Sequence, residues 1–303
     1  MLKITTYFKE PRVLGIALLT HFGTWLPDAL YLKMMFRLKM GYGLNLKNPT
    51  TFNEKLQWLK LYNRKPEYTP MVDKCEAKKV AEKVLGKEHV IPTLGVWDRF
   101  EDIDFSALPD RFVLKTSNGG GGGGVVICTD KDSLDKESAA QRLNGSLKTS
   151  IYTHLKEWPY KNVKPRILAE KFMVDESGHL RDYKFYCFNG EPKVFLVATD
   201  RFSAHGTYFD YFDMDGNVLQ FSQGGENNPV TPALPSNFEE MKSIARKLSK
   251  GIPHVRIDLY CVEGKVYFGE YTFFDSSGFE KFTPQKWDEI FGGWLTLPAK
   301  SKS

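Results

Sequence analysis

Six consecutive glycines, Gly119, Gly120, Gly121, Gly122, Gly123 and Gly124, constrain this chain more than any other stretch. Glycine loses more backbone freedom on ordering than any other residue, so a run of six belongs in neither a helix nor a strand. The run follows Phe112-Val113-Leu114-Lys115 and Thr116-Ser117-Asn118, and it precedes Val125-Val126-Ile127-Cys128. The β-branched and aromatic residues on both sides predict a strand, a loop and a second strand. Unobstructed backbone N–H groups in such a loop can close over phosphate oxygens while Lys115 supplies positive charge, which makes Asn118 and the glycines candidates for nucleotide binding. A glycine run by itself is more often a flexible connector. It contains G-x-G-x-x-G, but a strand-like segment follows instead of a helix and no Gly-Lys-Ser/Thr closes it, so neither a Rossmann turn nor a Walker loop is expected.

The 303 residues are 42% hydrophobic and 14% aromatic, enough to bury sizeable cores in two or three lobes. Lys and Arg (42) exceed Asp and Glu (37) by 5. That surplus suits anionic ligands or a membrane surface but lacks the dense basic stripe of a nucleic-acid binder, so no nucleic-acid partner is expected. Cys75, Cys128, Cys187 and Cys261 form no C-x-x-C pair and accompany six scattered histidines, which argues against a disulfide framework or a zinc site and for a reducing cytoplasm. Val13 to Leu19 is apolar and follows Lys3, Lys9 and Arg12 in the manner of a signal peptide, without a small-residue cleavage site. His21, Asp28 and Lys33 interrupt the region before it reaches the roughly 18 apolar residues of a membrane span. Phe22, Trp25, Leu26, Leu30 and Met34 among Lys33, Arg37 and Lys39 fit either packing on the main domain or peripheral contact with the inner face of the cytoplasmic membrane.

Residues 51–62, TFNEKLQWLKLY, predict an amphipathic helix, with Thr51 and Glu54 at capping-box spacing. A second helix is expected over 72–85, stopping at Gly86, and a third over 131–156. Strands are expected over 167–174, 182–188 and 192–199, the last two joined at Asn189-Gly190. A helix over 238–250 precedes a strand pair, 255–262 and 266–273. Hairpin signals outnumber β-helix-β alternation, so the class is α+β with antiparallel sheets.

In His254-Val255-Arg256-Ile257-Asp258-Leu259-Tyr260, strand alternation puts Arg256 and Asp258 on one face, opposite an apolar one. Glu270 and Thr272 repeat the period on the next strand, and two acids on neighbouring strands can hold Mg²⁺. Register decides whether they meet. A two-residue Glu263-Gly264 turn would separate Asp258 from Glu270, whereas a three-residue loop or an equivalent bulge pairs them, and we expect the latter. The alternative is a solvated face with an Arg256–Glu270 ion pair. Ile167-Leu168-Ala169 running into Glu170-Lys171-Phe172 reads as an adenine-pocket edge or a plain strand end. Asp182 and Lys184 share a strand face and suit a ribose hydroxyl and a phosphate, or a surface ion pair.

In this order, strand-lysine, glycine loop, strand-Glu-Lys-aromatic, Arg-x-Asp and Glu-x-Thr, the chain resembles the ATP-grasp superfamily. More closely it resembles the TupA-like ATP-grasp family, associated with teichuronopeptide and other bacterial surface-polysaccharide loci. TFNEKLQWLKLY, IPTLGVWDRFEDIDFSALPDRFVLK, DYKFYCFNGEPK, VRIDLY, YFGEYTF and SGFEKFTPQKWDE carry the likeness, over residues 50–298. The resemblance implies an ATP-grasp fold, with two α+β lobes clasping ATP behind a helical N-terminal segment. The chain would divide into that segment (1–70), an entry segment and lobe with the glycine lid (71–170), and a C-terminal lobe with the metal site (171–298). Lys115 would meet the α/β-phosphates, and Glu170, Lys171, Phe172 and Met173 would line adenine. Asp182 would lie near the ribose, Lys184 near the phosphates, and Asp258 and Glu270 on Mg²⁺. Thr272 departs from the Asn usual at its position. The implied activity is a carboxylate–amine ligase acting through an acylphosphate, with Lys115, Lys184 and Arg256 catalytic and Arg201, His205, Ser277 and Gly278 near a glycan-precursor carboxylate. Partners would be that carboxylate, an amine and polysaccharide assembly enzymes at the membrane. A polysaccharide-locus glycosyltransferase, for which no clear D-x-D triplet appears, and an ATP-grasp phosphotransferase acting on a hydroxyl are the alternatives.

Overall fold

The structure, a computed structural model, describes residues 10–120, 122–176, 178, 180–199 and 206–300; Gly121, Arg201 and His205 lie outside the described residues. Pro11–Phe22 (α1) and Asp28–Met40 (α2) form a helical hairpin. Its inner side carries Leu19, Tyr31, Leu32, Met35 and Phe36, which pack with Leu44 and Phe279. Phe52–Tyr62 (α3) begins where the sequence indicates. The Thr51 side chain accepts from the Glu54 N–H, and the Glu54 carboxylate accepts in return from the Thr51 N–H, completing the capping box.

The helix expected over 72–85 is divided into Tyr68–Val72 (α4) and Glu76–Leu85 (α5). Asp73 causes the break, because its Oδ1 accepts from the N–H groups of Cys75 (2.8 Å) and Glu76 (3.4 Å) and starts a new helix. Gly86, at φ 97°, ends it. Thr93–Trp97 (β1), Phe112–Thr116 (β2), Val125–Cys128 (β3) and Ile167–Lys171 (β4) form an antiparallel sheet in the order β1-β4-β2-β3. The strand expected over 167–174 stops at Lys171, whose N–H donates to the Pro92 carbonyl (3.0 Å). The helix expected over 131–156 is two, Lys136–Leu147 (α6) and Ile151–Leu155 (α7), because Asp135 and Ser150 each cap a separate start. Ala139 and Leu143 of α6 pack under the sheet against Phe112, Leu114, Ile167 and Ala169.

The larger sheet is also antiparallel. It contains Asp182–Phe188 (β5), Glu191–Thr199 (β6) and Tyr208–Phe212 (β7), with the short Ser222–Gln223 (β8) beyond. Phe238–Ser249 (α8) leads into His254–Val262 (β9) and Lys265–Thr272 (β10), and the sheet order is β10-β9-β5-β6-β7. Asn189 (φ 52°) and Gly190 (φ 87°) make the predicted hairpin turn. The hydrophobic face of α8, with Met241, Ile244, Ala245 and Leu248, covers one side of this sheet. Phe282–Thr283 (β11) pairs with β8, and Lys286–Trp294 (α9) closes the chain onto α3.

Phe52 is fully buried and its ring meets those of Phe188, His254, Phe282 and Phe291, so α3 shares the core of the larger sheet. The approach of α9 to α3 requires glycine at one point, since a Cβ on Gly292 would lie 2.1 Å from the Thr50 carbonyl oxygen. Backbone cannot yield as a flexible side chain does. Gly292→Ala should therefore destabilise the protein by about 1–3 kcal/mol in urea unfolding, and wild-type stability would show that the two helices can separate freely.

Candidate active site

The register of β9 and β10 sets the geometry of the charged face. Glu263 (φ 51°) and Gly264 (φ 70°) form a two-residue turn, and Lys265 pairs with Val262 and so on to Phe268 with Leu259. Gly269 is then bulged out of register, so that Glu270 faces Asp258 and Thr272 faces Arg256. The bulge anticipated from the sequence thus takes the place of a three-residue loop. A Cβ on Gly269 would lie 2.9 Å from both the Asp258 carbonyl oxygen and the Tyr260 ring. On the other side of β9, β5 places Lys184 opposite Asp258 and Tyr186 opposite Arg256. Glu270, Asp258 and Lys184 therefore form a row across three strands, on one face.

Each charge in this row is matched. Lys184 Nζ donates to Asp258 Oδ2 (2.5 Å) and lies 3.5 Å from Asp182 Oδ2. Arg256 grips Asp258 with two bonds of 2.7 Å, reaches Thr272 Oγ1 at 3.2 Å, pairs with Asp275 and lies 3.7 Å from Glu270. Lys74 Nζ holds the other Glu270 oxygen at 3.0 Å. Burial raises the pKa of Glu270, but Lys74, Lys184 and Arg256 outweigh it and hold the carboxyl well below its usual range. Burial likewise opposes the charge on Arg256, and Asp258 and Asp275 more than restore it.

A second group comes from the smaller sheet. The buried Glu170 carboxylate lies between Lys115 Nζ (2.6 Å) and Lys78 Nζ (2.6 Å), and Lys78 also donates to the Ile91 carbonyl (2.7 Å). Burial pushes the Glu170 pKa up, yet the two ammonium groups bring it down to about 2. Lys115 is raised in turn, because Glu170 outweighs its burial. Glu170 is therefore the counter-ion of two lysines. Beyond it Lys171 is exposed, Met173 is half-buried, and the Phe172 ring lies under the Arg111 guanidinium at 4.1 Å.

Lys74 ties the row to the start of the glycine loop. Its ammonium meets Glu270 on β10, and its backbone N–H donates to the Ser117 carbonyl (3.2 Å) at the start of the glycine loop. Burial raises the Tyr260 hydroxyl pKa, and the charges of Asp182, Glu270, Asp258 and Glu170 raise it further. Sequence reasoning missed Lys74, Lys78 and Tyr260. Lys74 and Lys78 share helical spacing beside Asp73, and Tyr260 continues the period of Arg256 and Asp258, so both signals were present.

The glycine loop leans on α6. Arg142 donates to the carbonyls of Gly122 (3.1 Å) and Gly123 (3.2 Å), and Thr116 N–H donates to that of Gly124 (2.9 Å). A Cβ on Gly119 or Gly124 would lie 2.4 or 2.1 Å from Thr116 Oγ1. The Asn118 amide is spent on the carbonyls of Leu147 (3.3 Å) and Thr149 (3.0 Å) at the end of α6, and its own oxygen is buried without a partner. The loop and Ser146, Thr149 and Ile151 enclose a cleft of about 270 Å³.

Beyond β10, Ser276 (φ 45°), Ser277 (φ 56°) and Gly278 (φ 63°) form a left-handed turn. Such a turn needs support where the residues are not glycine, and the polar residues of α3 supply it. Gln57 donates to the Ser277 (3.0 Å) and Gly278 (2.8 Å) carbonyls, and Lys60 to the Ser277 carbonyl (2.8 Å) and hydroxyl (2.7 Å). Burial drives Lys60 down and Glu157 beside it up. Ser277 thus points into the protein, while Ser276 is exposed and Asp275 accepts from the Tyr186 hydroxyl (3.1 Å) and from Arg256.

Asp258 and Glu270 offer the two hard carboxylates with which Mg²⁺ is commonly held, the rest of its shell being water and substrate phosphate. Among the described residues no cluster of three or more His, Cys, Asp or Glu is placed to hold a metal alone. The Thr272 hydroxyl is already occupied, donating to Glu270 at 3.4 Å and accepting from Arg256.

The family model described as TupA-like ATPgrasp matches residues 54–296, so the chain belongs to that family, as its motifs indicate. No curated protein sequence matches it significantly. Among solved structures, D-alanine–D-alanine ligase from Bacillus anthracis is similar at 17% identity and a TM-score of 0.39, over 67% of this chain and 57% of that one. The Helicobacter pylori D-alanine–D-alanine ligase gives 15% and 0.42, over 76% and 60%. The Thermotoga maritima phosphoribosylamine–glycine ligase gives 16% and 0.42, over 68% and 48%. The chain spans less than two thirds of the length of each.

The Glu170 group makes stability depend on pH. Its folded pKa of about 2 lies below the ordinary 4.5, so its contribution, about 3 kcal/mol, is complete above 4.5 and lost as pH falls towards 2. Glu170→Gln should lose that amount at neutral pH, and the gap from wild type in urea unfolding should close near pH 2. A gap that stays constant with pH would assign the loss to packing.

Proposed function

We propose that this protein is an ATP- and Mg²⁺-dependent ligase that phosphorylates a carboxylate and passes the acyl group to an amine, in the making or modification of a bacterial surface polysaccharide. The reading rests chiefly on one observation: the larger sheet carries the row Lys184, Asp258 and Glu270, and Lys74 bonds both Glu270 and the Ser117 carbonyl two residues after Lys115, which holds Glu170, within a chain of the TupA-like ATP-grasp family. The surface-polysaccharide context follows the loci with which that family is associated.

In this reading Lys115 and Lys184 bind the phosphates, and Asp182 takes the ribose. Glu170 orients Lys115, and Lys171, Phe172 and Met173 border the adenine. Asp258 and Glu270 hold Mg²⁺, which when bound screens the phosphate charge from the incoming carboxylate. A carboxylate oxygen attacks the γ-phosphorus and ADP leaves; the amine then attacks the acyl carbon and phosphate leaves. Arg256, fixed by Asp258 and Asp275, presents positive charge towards the oxyanion of that second step. The glycine loop closes over the phosphates and keeps water from the acylphosphate. Acceptor recognition falls to Arg201, His205 and the 275–278 turn, in which Gly278 and Ser277 set the backbone that Ser276 presents.

The test supplies Mg-ATP, an amine mixture and ¹⁸O-labelled uronic and amino acids. Label in the released phosphate, with an amide product, supports the ligase; phosphate ester with no labelled phosphate indicates transfer to a hydroxyl, and no ADP formation across the panel refutes both. Glu270→Gln should lower ADP release by about 10³-fold while Mg-ADP still raises the melting temperature. Gly269→Ala should lower it by a smaller factor, since it shifts both acids without removing either, and unchanged turnover would dissociate the bulge from the site.

A further inference from the structure

The α1–α2 hairpin lies ahead of the segment that matches the family model, and the site described above leaves its outer side unused. Leu19, Tyr31 and Phe36 fasten its inner side to Phe279, with Leu61 and Leu155 packed alongside, so the hairpin moves with the body of the protein. Its outer side carries Leu14, Leu18 and Phe22 at intervals of four on α1, Trp25 in the turn, and Leu30 and Met34 on α2, all exposed. Phe22 is 65% exposed and Trp25 80%, far more than large aromatic side chains usually are in a folded chain.

The charge closest to the turn is positive. Lys33 and Arg37 are exposed beside Leu30 and Met34, whereas Lys39 extends over the Phe279 ring (5.4 Å) and Arg12 lies by Gly41 at the other end of the hairpin, next to exposed Glu10. The one acid between residues 11 and 40 is Asp28, and it is engaged by Arg64 (2.6 Å), Lys156 (3.5 Å) and the Tyr152 hydroxyl (3.0 Å). Lys33 and Arg37, at helical spacing with Leu30 and Met34, put positive charge on the same face of α2 as those apolar side chains, which fits a surface that is apolar beneath and anionic above. A second copy of this chain fits poorly, because a two-fold contact would set the same cations against one another. No helix of the described residues is long and apolar enough to cross a membrane.

We propose that this hairpin docks the protein on an anionic lipid surface, with Phe22 and Trp25 entering the boundary between headgroups and acyl chains and Lys33 and Arg37 lying over acidic headgroups. Aromatic side chains favour that boundary, and each cation close to the surface adds attraction that salt screens. The contact is peripheral, and it stands whether or not the ligase reading does.

The full chain is sedimented with phosphatidylcholine vesicles and with vesicles containing about 30% phosphatidylglycerol, beside Phe22→Ala/Trp25→Ala and Lys33→Glu/Arg37→Glu, each checked for wild-type thermal unfolding. The wild type should partition at least about tenfold better onto the anionic vesicles, and each double variant should lose about tenfold. About 0.5 M NaCl should remove most of the preference. Equal binding to both vesicle types, or variants that partition like the wild type, would overturn the proposal. So would velocity sedimentation showing a lipid-free wild-type dimer that Phe22→Ala/Trp25→Ala turns into a monomer.

Discussion

Asp258 is almost wholly removed from water, and a carboxylate there is tolerated only because both oxygens are met by cations. Arg256 reaches it from two residues back along the same strand, and Lys184 from the strand beside it. Arg256 in turn is held by Asp275, which accepts from Tyr186. Removing Arg256 would leave an uncompensated charge in the interior, so strand order, bulge and turn are all tied to the same few ions. Glu270, on the outer side of the row, has the more open position and takes its partner from a different part of the chain, Lys74.

That difference organises the molecule. The inner acid is fixed within the larger sheet, whereas the outer acid is tied to the segment after β2 by Lys74, which meets Glu270 with its side chain and the Ser117 carbonyl with its backbone. Glu170 of the smaller sheet is shared by two cations, Lys115 of the same sheet and Lys78 of α5, which leaves that group with positive charge in excess.

The sequence made the periodic parts legible. Strand alternation located Arg256, Asp258, Glu270 and Thr272, the Asn189-Gly190 turn marked a hairpin, and the Thr51–Glu54 spacing marked a helix start that has both of its reciprocal bonds. Features set by contacts across the fold were harder to read. Gly269 is bulged against the Tyr260 ring and the Asp258 carbonyl, neither of which adjoins it in sequence. Asn118 reads as part of a phosphate loop, but its amide closes the end of α6. Glu170 reads as a pocket edge because Lys78, on a helix well before it in the chain, is invisible as its partner. The amphipathic pattern of α3 located its apolar face but gave no reason for buried Gln57 and Lys60, which are explained by the left-handed turn they support.

The close internal ion pairs also set what it takes to free each lysine. Lys184 and Lys115 each already hold a carboxylate oxygen, at 2.5 and 2.6 Å. An arriving anion must displace or share those partners before it meets a lysine, so a small monoanion has little to offer in exchange. A chain of linked phosphates that engages both groups at once can compensate for both exchanges in a single event. Each carboxylate keeps a second cation, Arg256 for Asp258 and Lys78 for Glu170, so either lysine can leave without stranding a buried charge.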